Sequence, residues 1–94
     1  MLRSFADATT ADLFHGHNTK AARRIPQALW RSIRRKLLVI DAATKPTDIA
    51  VTPGYRLEAL KGTDRYSIRV NDQYRLTFRF EGQDAHDVRC EDYH

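Results

Sequence analysis

The chain has 94 residues, 41% of them apolar, with 16 basic against 12 acidic side chains and a net charge of +4; that length suits one domain over residues 1–94 with a single modest core. No apolar run reaches the roughly 18 residues of a membrane-spanning helix, and residues 1–10 lack the segments of a secretory signal. The one cysteine, Cys90, excludes an internal disulfide, so a cytoplasmic setting without a membrane partner is expected.

Residues 2–5 read as a short edge strand. Asp7 is placed to cap a brief helix through Leu13 and Phe14, and Gly16 suits its C-terminal stop. His15 and His17 flank that glycine; with no third ligand nearby they read as a surface loop and not as a metal site. Pro26 fits the first turn of a second helix. Leu29, Ile33, Leu37 and Ile40 recur on one helical face. A helix is therefore expected over residues 26–43, with Trp30 beside the stripe. Between residues 20 and 40 lie Lys20, Arg23, Arg24, Arg31, Arg34, Arg35 and Lys36 and no acidic residue. This is either a solvated helix face or a contact surface for RNA or an acidic partner, and Arg34 and Arg35 are the candidates for RNA contact. The pI near 9.6 favours an acidic partner of one of these kinds.

Residues 44–54 read as a loop, broken by Pro46, Pro53 and Gly54 and turn-prone at Thr47 and Asp48. Residues 55–60 read as a strand with Tyr55, Leu57 and Ala59 on one face and Arg56 and Glu58 on the other; Lys61-Gly62 ends it. Residues 66–80 form the clearest element, a hairpin turning at Asn71-Asp72. Ile68, Val70, Tyr74, Leu76, Phe78 and Phe80 share one face. Ser67, Arg69, Arg75, Thr77 and Arg79 share the other. The hairpin thus has an oily face that needs a cover and an arginine face that asks for an anion. After a turn at Glu81-Gly82-Gln83, residues 85–90 make a last strand with Cys90 as a buried thiol. The order predicts an α+β fold: a short N-terminal strand and two helices packed on one face of an antiparallel sheet.

Glu58, Lys61, Arg69, Arg75 and Arg79 converge on the open face of that sheet, with Tyr93 and His94 at the end of a neighbouring strand. No metal cluster, phosphate-cradling glycine loop or Ser-His-Asp constellation is visible. Taken singly, each of these is an ordinary solvated charge. As a set they resemble the equipment for metal-free RNA cleavage: a base for the 2′-hydroxyl proton, cations for the phosphate charge, and an acid for the leaving oxygen.

The segments GYRLEALKG, SIRVNDQYRLTFRFEG and the terminal EDYH, with Ser4-Phe5 near the start, resemble the HigB branch of the RelE-like toxins of bacterial toxin–antitoxin systems. The resemblance covers nearly the whole chain. It implies a ribosome-dependent mRNA endonuclease with no cofactor, acting in the A site of the 70S ribosome. It also implies inhibition by a cognate helix-turn-helix antitoxin, through which alone the toxin meets operator DNA. By motif position, Lys61 matches a lysine that contacts phosphate and Arg75 an arginine that stabilises transition-state charge. In the DYH ending, His94 is the acid/base, Tyr93 orients the substrate base, and Asp92 positions its neighbours; Arg69 and Arg79 add RNA contacts. A branch of the family has histidine where this chain has Glu58, so either Glu58 is the general base or His94 works without a second imidazole. The loop 63–66 is shorter than in many relatives, which leaves the reach of Lys61 open. Two other readings stand beside the enzyme. One is a catalytically weak partner protein acting through antitoxin binding and co-repression. The other is a plain RNA-binding module, which the lack of an aromatic stacking platform disfavours.

Overall fold

Asp7 lies in extended backbone, and its carboxylate accepts from the Thr10 amide at 2.9 Å, capping helix α1 (Ala8–His15). Gly16 ends the helix at φ 76°, a left-handed conformation that costs glycine little, with its amide on the Asp12 carbonyl. His15 is the last helical residue, with its Nδ1 2.8 Å from the Ala11 carbonyl, so it is not part of a loop. The computed structural model that shows this describes residues 1–93.

Two short 3-10 turns, Ala22–Arg24 and Gln27–Leu29, lead into helix α2 (Trp30–Ala42). The helix expected from residue 26 thus begins later. Pro26, at ψ 129°, stands outside it and precedes the tight turn. The Trp30 indole N–H donates to the Ile25 carbonyl at 2.8 Å and holds the entry. Ile33, Leu37 and Ile40 are fully buried, as the stripe requires; burial of an aliphatic side chain of this size contributes roughly 1.5–3 kcal/mol.

Residues 44–54 are not a plain loop. They contain helix α3 (Pro46–Ala50), with Pro46 in its first turn and Ile49 fully buried. The Asp48 carboxylate accepts from the Thr44 amide at 3.0 Å and the Thr44 hydroxyl at 3.1 Å. Those hydrogen bonds hold its pKa below the usual carboxylate range. The residues that suggested a turn are the same ones that start a helix.

Strands β1 (Glu58–Ala59), β2 (Arg65–Arg69), β3 (Tyr74–Glu81) and β4 (Asp84–Asp92) form an antiparallel sheet in chain order. The strand expected over residues 55–60 shrinks to two residues, because Arg56 takes φ 50° and breaks the extended run. Tyr55 still joins the edge, its carbonyl accepting from the Arg69 amide at 2.7 Å. Ala59 is exposed and does not share the burial of Leu57. At the other edge, Leu2 and Phe5 make parallel bridges to Ala85 and Val88 on β4. The β2–β3 turn is held by the Asn71 side-chain oxygen, which accepts from the Gln73 and Tyr74 amides at 2.9 and 2.7 Å. One face of the sheet packs Ile68, Tyr74, Leu76, Phe78, Ala85 and Val88 into a core shared with α1 and α2. The architecture is an α+β fold with helices on one face of an antiparallel sheet.

Register gives one irregularity that matters for the other face. Thr77 pairs with Arg89 and Arg79 with His86, so Phe78 stands opposite both Asp87 and Val88. This is a β-bulge. Asp87 absorbs it at φ 51°, and Val88 stays fully buried in the core.

Candidate active site

The polar face is laid out in rows by the pairing. Glu58 lies beside Ser67, Ser67 beside Thr77, and Thr77 beside Arg89. The next row, toward the β2–β3 turn, is Arg69, Arg75 and Glu91; the row toward the opposite end is Arg65, Arg79 and His86. Ser67 and Thr77 are fully buried although they point to this face, because guanidinium groups lie over them. Arg75 Nη1 donates to Ser67 Oγ at 2.7 Å. Arg65 Nη2 donates to Thr77 Oγ1 at 2.9 Å and to the Asp87 carbonyl at 2.8 Å. The Thr77 hydroxyl in turn donates to Glu91 Oε2 at 2.5 Å.

The arginine face does not wait for an outside anion, as the sequence suggested. The chain supplies carboxylates of its own. Arg75 Nη2 lies 3.6 Å from Glu58 Oε1, and Arg69 pairs with Asp72 across the turn. Arg79 is gripped twice, by Asp87 at 2.9 Å and Glu81 at 2.8 Å. Arg89 reaches Asp7 at 3.5 Å and Glu91 at 3.8 Å. Hydrogen bonds from Arg79 hold the Glu81 and Asp87 carboxyls below their usual range, and the same two bonds raise the pKa of Arg79. Arg79 is therefore tied into the sheet on the β4 side.

Arg75 is the least exposed of the ion-paired arginines on the face. Its side chain is 18% exposed, against 58% for Glu58, and the Tyr93 ring lies 5.6 Å from its guanidinium carbon. Tyr93 is half exposed, and its amide donates to the Gln73 carbonyl at 2.5 Å. Gln73 Nε2 donates to Asp92 Oδ2 at 3.1 Å. The chain end is thus bonded to the β2–β3 turn, which brings Tyr93 to the Arg69–Arg75 end of the face. His94 lies outside the described residues. Lys61 is exposed in the β1–β2 turn, which the Leu60 amide closes on the Arg65 carbonyl at 2.8 Å. Lys61 follows the Glu58–Ser67 pair by three residues, on the side of Arg65 and away from the β2–β3 turn.

Glu58, Arg69, Arg75 and Tyr93 are therefore grouped; Asp92, the cross-strand partner of the core residue Tyr74, lies on the apolar side, Lys61 lies toward the Arg65 end, and Arg79 is engaged elsewhere. Arg34 and Arg35 project from α2, which covers the apolar face, so they lie across the molecule from Arg75. Chemically, the group offers an exposed carboxylate beside a buried-stem guanidinium and an aromatic ring: a proton acceptor, a fixed positive charge and a surface for a base.

The family described as RelE-like toxin of type II toxin–antitoxin system HigB matches residues 3–94. The chain belongs to this family. It is 43% identical over 63 residues to Toxin HigB-1 of Vibrio cholerae serotype O1, a match covering 65% of this chain and 66% of that one. It is also 36% identical over 67 residues to an uncharacterized protein of Haemophilus influenzae, covering 69% and 66% respectively. The matched segment thus spans just under two thirds of each relative's length.

Within this HigB-like chain several residues of the face carried no functional signal in the sequence. Ser67 and Thr77 could be placed on it by alternation, but their role as buried seats for Arg75 and Arg65 depends on cross-strand register. Asp87 joins only because of the bulge, and Gln73 only because the chain end returns beside its turn. Cys90 is buried in the HigB-like core; burial, with nearby Asp7 and Glu91, pushes its thiol up to about 12. Its amide donates to Thr10 Oγ1 at 2.9 Å. Among the described residues no helix is long and apolar enough to cross a membrane.

Proposed function

We propose that this HigB-like chain is a cytoplasmic endoribonuclease toxin that cleaves mRNA on the translating ribosome by acid–base chemistry of its own side chains. The Arg75 cluster carries this reading: one guanidinium seated on Ser67 and flanked by the Glu58 carboxylate and the Tyr93 ring. When an RNA phosphate takes the exposed edge of Arg75, Glu58 is released to accept the 2′-hydroxyl proton. The 2′-oxygen then bonds to phosphorus. The bond to the 5′-oxygen breaks, and that oxygen takes a proton from His94, leaving a 2′,3′-cyclic phosphate and a 5′-hydroxyl. Arg75 holds the charge of the phosphorane, Lys61 and Arg69 contact flanking phosphates, and Tyr93 stacks on a base beside the cut while Asp92 orients the chain end.

Ribosome dependence has a physical basis in the same face. On free RNA each phosphate contact only exchanges one of the chain's own carboxylates on Arg69, Arg75 or Arg89, so the net gain in binding is small. A ribosome-bound message arrives already positioned and needs little binding energy from this surface. A cognate helix-turn-helix antitoxin restrains the toxin and carries the complex to operator DNA.

The Glu58–Arg75 pair also favours a second reading, a catalytically weak partner protein in which base and cation neutralise each other. Induced expression with mapping of mRNA 5′ ends separates the two. Codon-phased cuts in translated regions, absent with Arg75→Ala, support the nuclease. An intact message profile from the parent, with antitoxin binding retained, establishes the second reading instead.

A further inference from the structure

The molecule's charge is segregated. The arginines paired above all lie on the sheet, whereas Lys20, Arg23, Arg24, Arg31, Arg34, Arg35 and Lys36 make no ion pair among the described residues. Three of these cations, Arg31, Arg34 and Arg35, line a groove of about 430 Å³ between α1 and α2. Its walls are Leu13, Trp30 and Leu38, and its rim is Arg31, Arg34 and Arg35. Leu38 is 46% exposed, among the few large apolar side chains left in solvent. The one carboxylate in the groove, Asp12, is already satisfied by the Thr19 hydroxyl at 2.6 Å, with His17 3.8 Å away. Arg34 is held over the end of α1 by a hydrogen bond from its Nε to the Phe14 carbonyl at 3.1 Å, which fixes one rim of the groove. Lys36 turns away, over the Tyr55 ring.

We infer that the groove between α1 and α2 is a docking site for an acidic amphipathic helix of a protein partner. An apolar floor and a cationic rim call for the opposite arrangement on the ligand: aliphatic side chains at helical spacing, flanked by carboxylates. A nucleic-acid backbone would satisfy the rim but leave Leu38 and the Trp30 ring against phosphate and ribose. This site shares no residue with the sheet face, so it stands whether or not the chain cleaves RNA.

Trp30 is the chain's only tryptophan, and its place in the wall makes it a reporter. The probe is a synthetic tryptophan-free peptide of about five helical turns, with leucines at i, i+3, i+4 and i+7 and glutamates elsewhere. Three comparisons accompany it: the same residues in scrambled order, an oligouridylate, and the protein variants Leu38→Glu and Arg34→Glu/Arg35→Glu. The helical peptide is expected to shift Trp30 emission to the blue, saturably, with affinity that falls as salt is added. Each variant should weaken it about tenfold or more while leaving the circular dichroism of the protein unchanged. Because Leu38 is exposed, its variant keeps the test valid if the double charge reversal disturbs folding. No shift in Trp30 emission, or equal binding of the scrambled peptide, overturns the assignment. Tighter binding by oligouridylate with displacement of the peptide also overturns it, and makes the groove a nucleic-acid surface.

Discussion

Arg75 of β3 reaches across β2 to Glu58 of β1, Nη2 to Oε1 at 3.6 Å, while its Nη1 rests on the buried Ser67 hydroxyl at 2.7 Å. Only the first of these contacts is exchangeable. Glu58 is mostly exposed, and an exposed ion pair is worth about 0–1 kcal/mol. An arriving phosphate can replace Glu58 at little cost, but it cannot easily dislodge the guanidinium from its seat. In the proposed reaction the pair is the resting state from which base and cation separate onto substrate.

Glu58→Gln tests the base. The amide fills the same space but accepts no proton at neutral pH. Cleavage on ribosomes is expected to fall by roughly 100-fold or more, with the melting temperature within a few degrees of the parent. Parental cleavage by this variant would move the base role to His94.

Arg75→Lys separates charge from geometry. Lysine keeps the positive charge but cannot donate to Ser67 and phosphate together from one planar group while lying against the Tyr93 ring. The expected outcome is a loss of about 100-fold in cleavage rate for both Arg75→Lys and Arg75→Ala, and a destabilisation of about 1 kcal/mol as Ser67 loses its donor. Rescue by lysine, read in the same single-turnover assay, would show that charge alone suffices.

The Arg79 cluster sets an acid limit on stability. Glu81 and Asp87 have depressed pKa values, chiefly through hydrogen bonds from Arg79. Their contribution is fully present above the unfolded carboxyl range of about 4 and is lost as pH falls through their folded values. Arg79→Met removes the cause of both shifts. Between about pH 6 and pH 3, the melting temperature of the parent should therefore fall more steeply than that of the variant. Asp48 and Asp84, held low by Thr44 and Arg3, keep a residual slope in both. Parallel curves would mean that the cluster does not couple to folding.

Helix α3 has a single test residue. Ile49 is fully buried, so Ile49→Ala should cost about 2–5 kcal/mol in chemical denaturation. A cost below about 0.5 kcal/mol, the range of surface substitutions, would place residues 44–54 back in solvent as a loop.

These elements differ in how far the sequence discloses them. The α1 caps and the hairpin alternation are local, and Asp7, Gly16 and the Tyr74–Phe80 run stand where local chemistry puts them. Helix α3 was hidden because Pro46, Thr47 and Asp48 serve a turn and a helix start equally well. The positive φ of Arg56 and the bulge at Asp87 have no composition to announce them. The candidate site itself was legible as a set of residue types on one face. Its internal wiring was not, since Glu58 with Arg75 and Arg79 with Asp87 meet only through register across the sheet.

Incubating purified protein with one message, once on reconstituted translating ribosomes and once as free RNA at the same concentration, measures cleavage where it is claimed to occur. Codon-phased cuts on the ribosomes, lost with Arg75→Ala, and little cutting of the free transcript are the expected result. Equal cutting of free RNA, or none on the ribosomes, would contradict ribosome-dependent cleavage by this face.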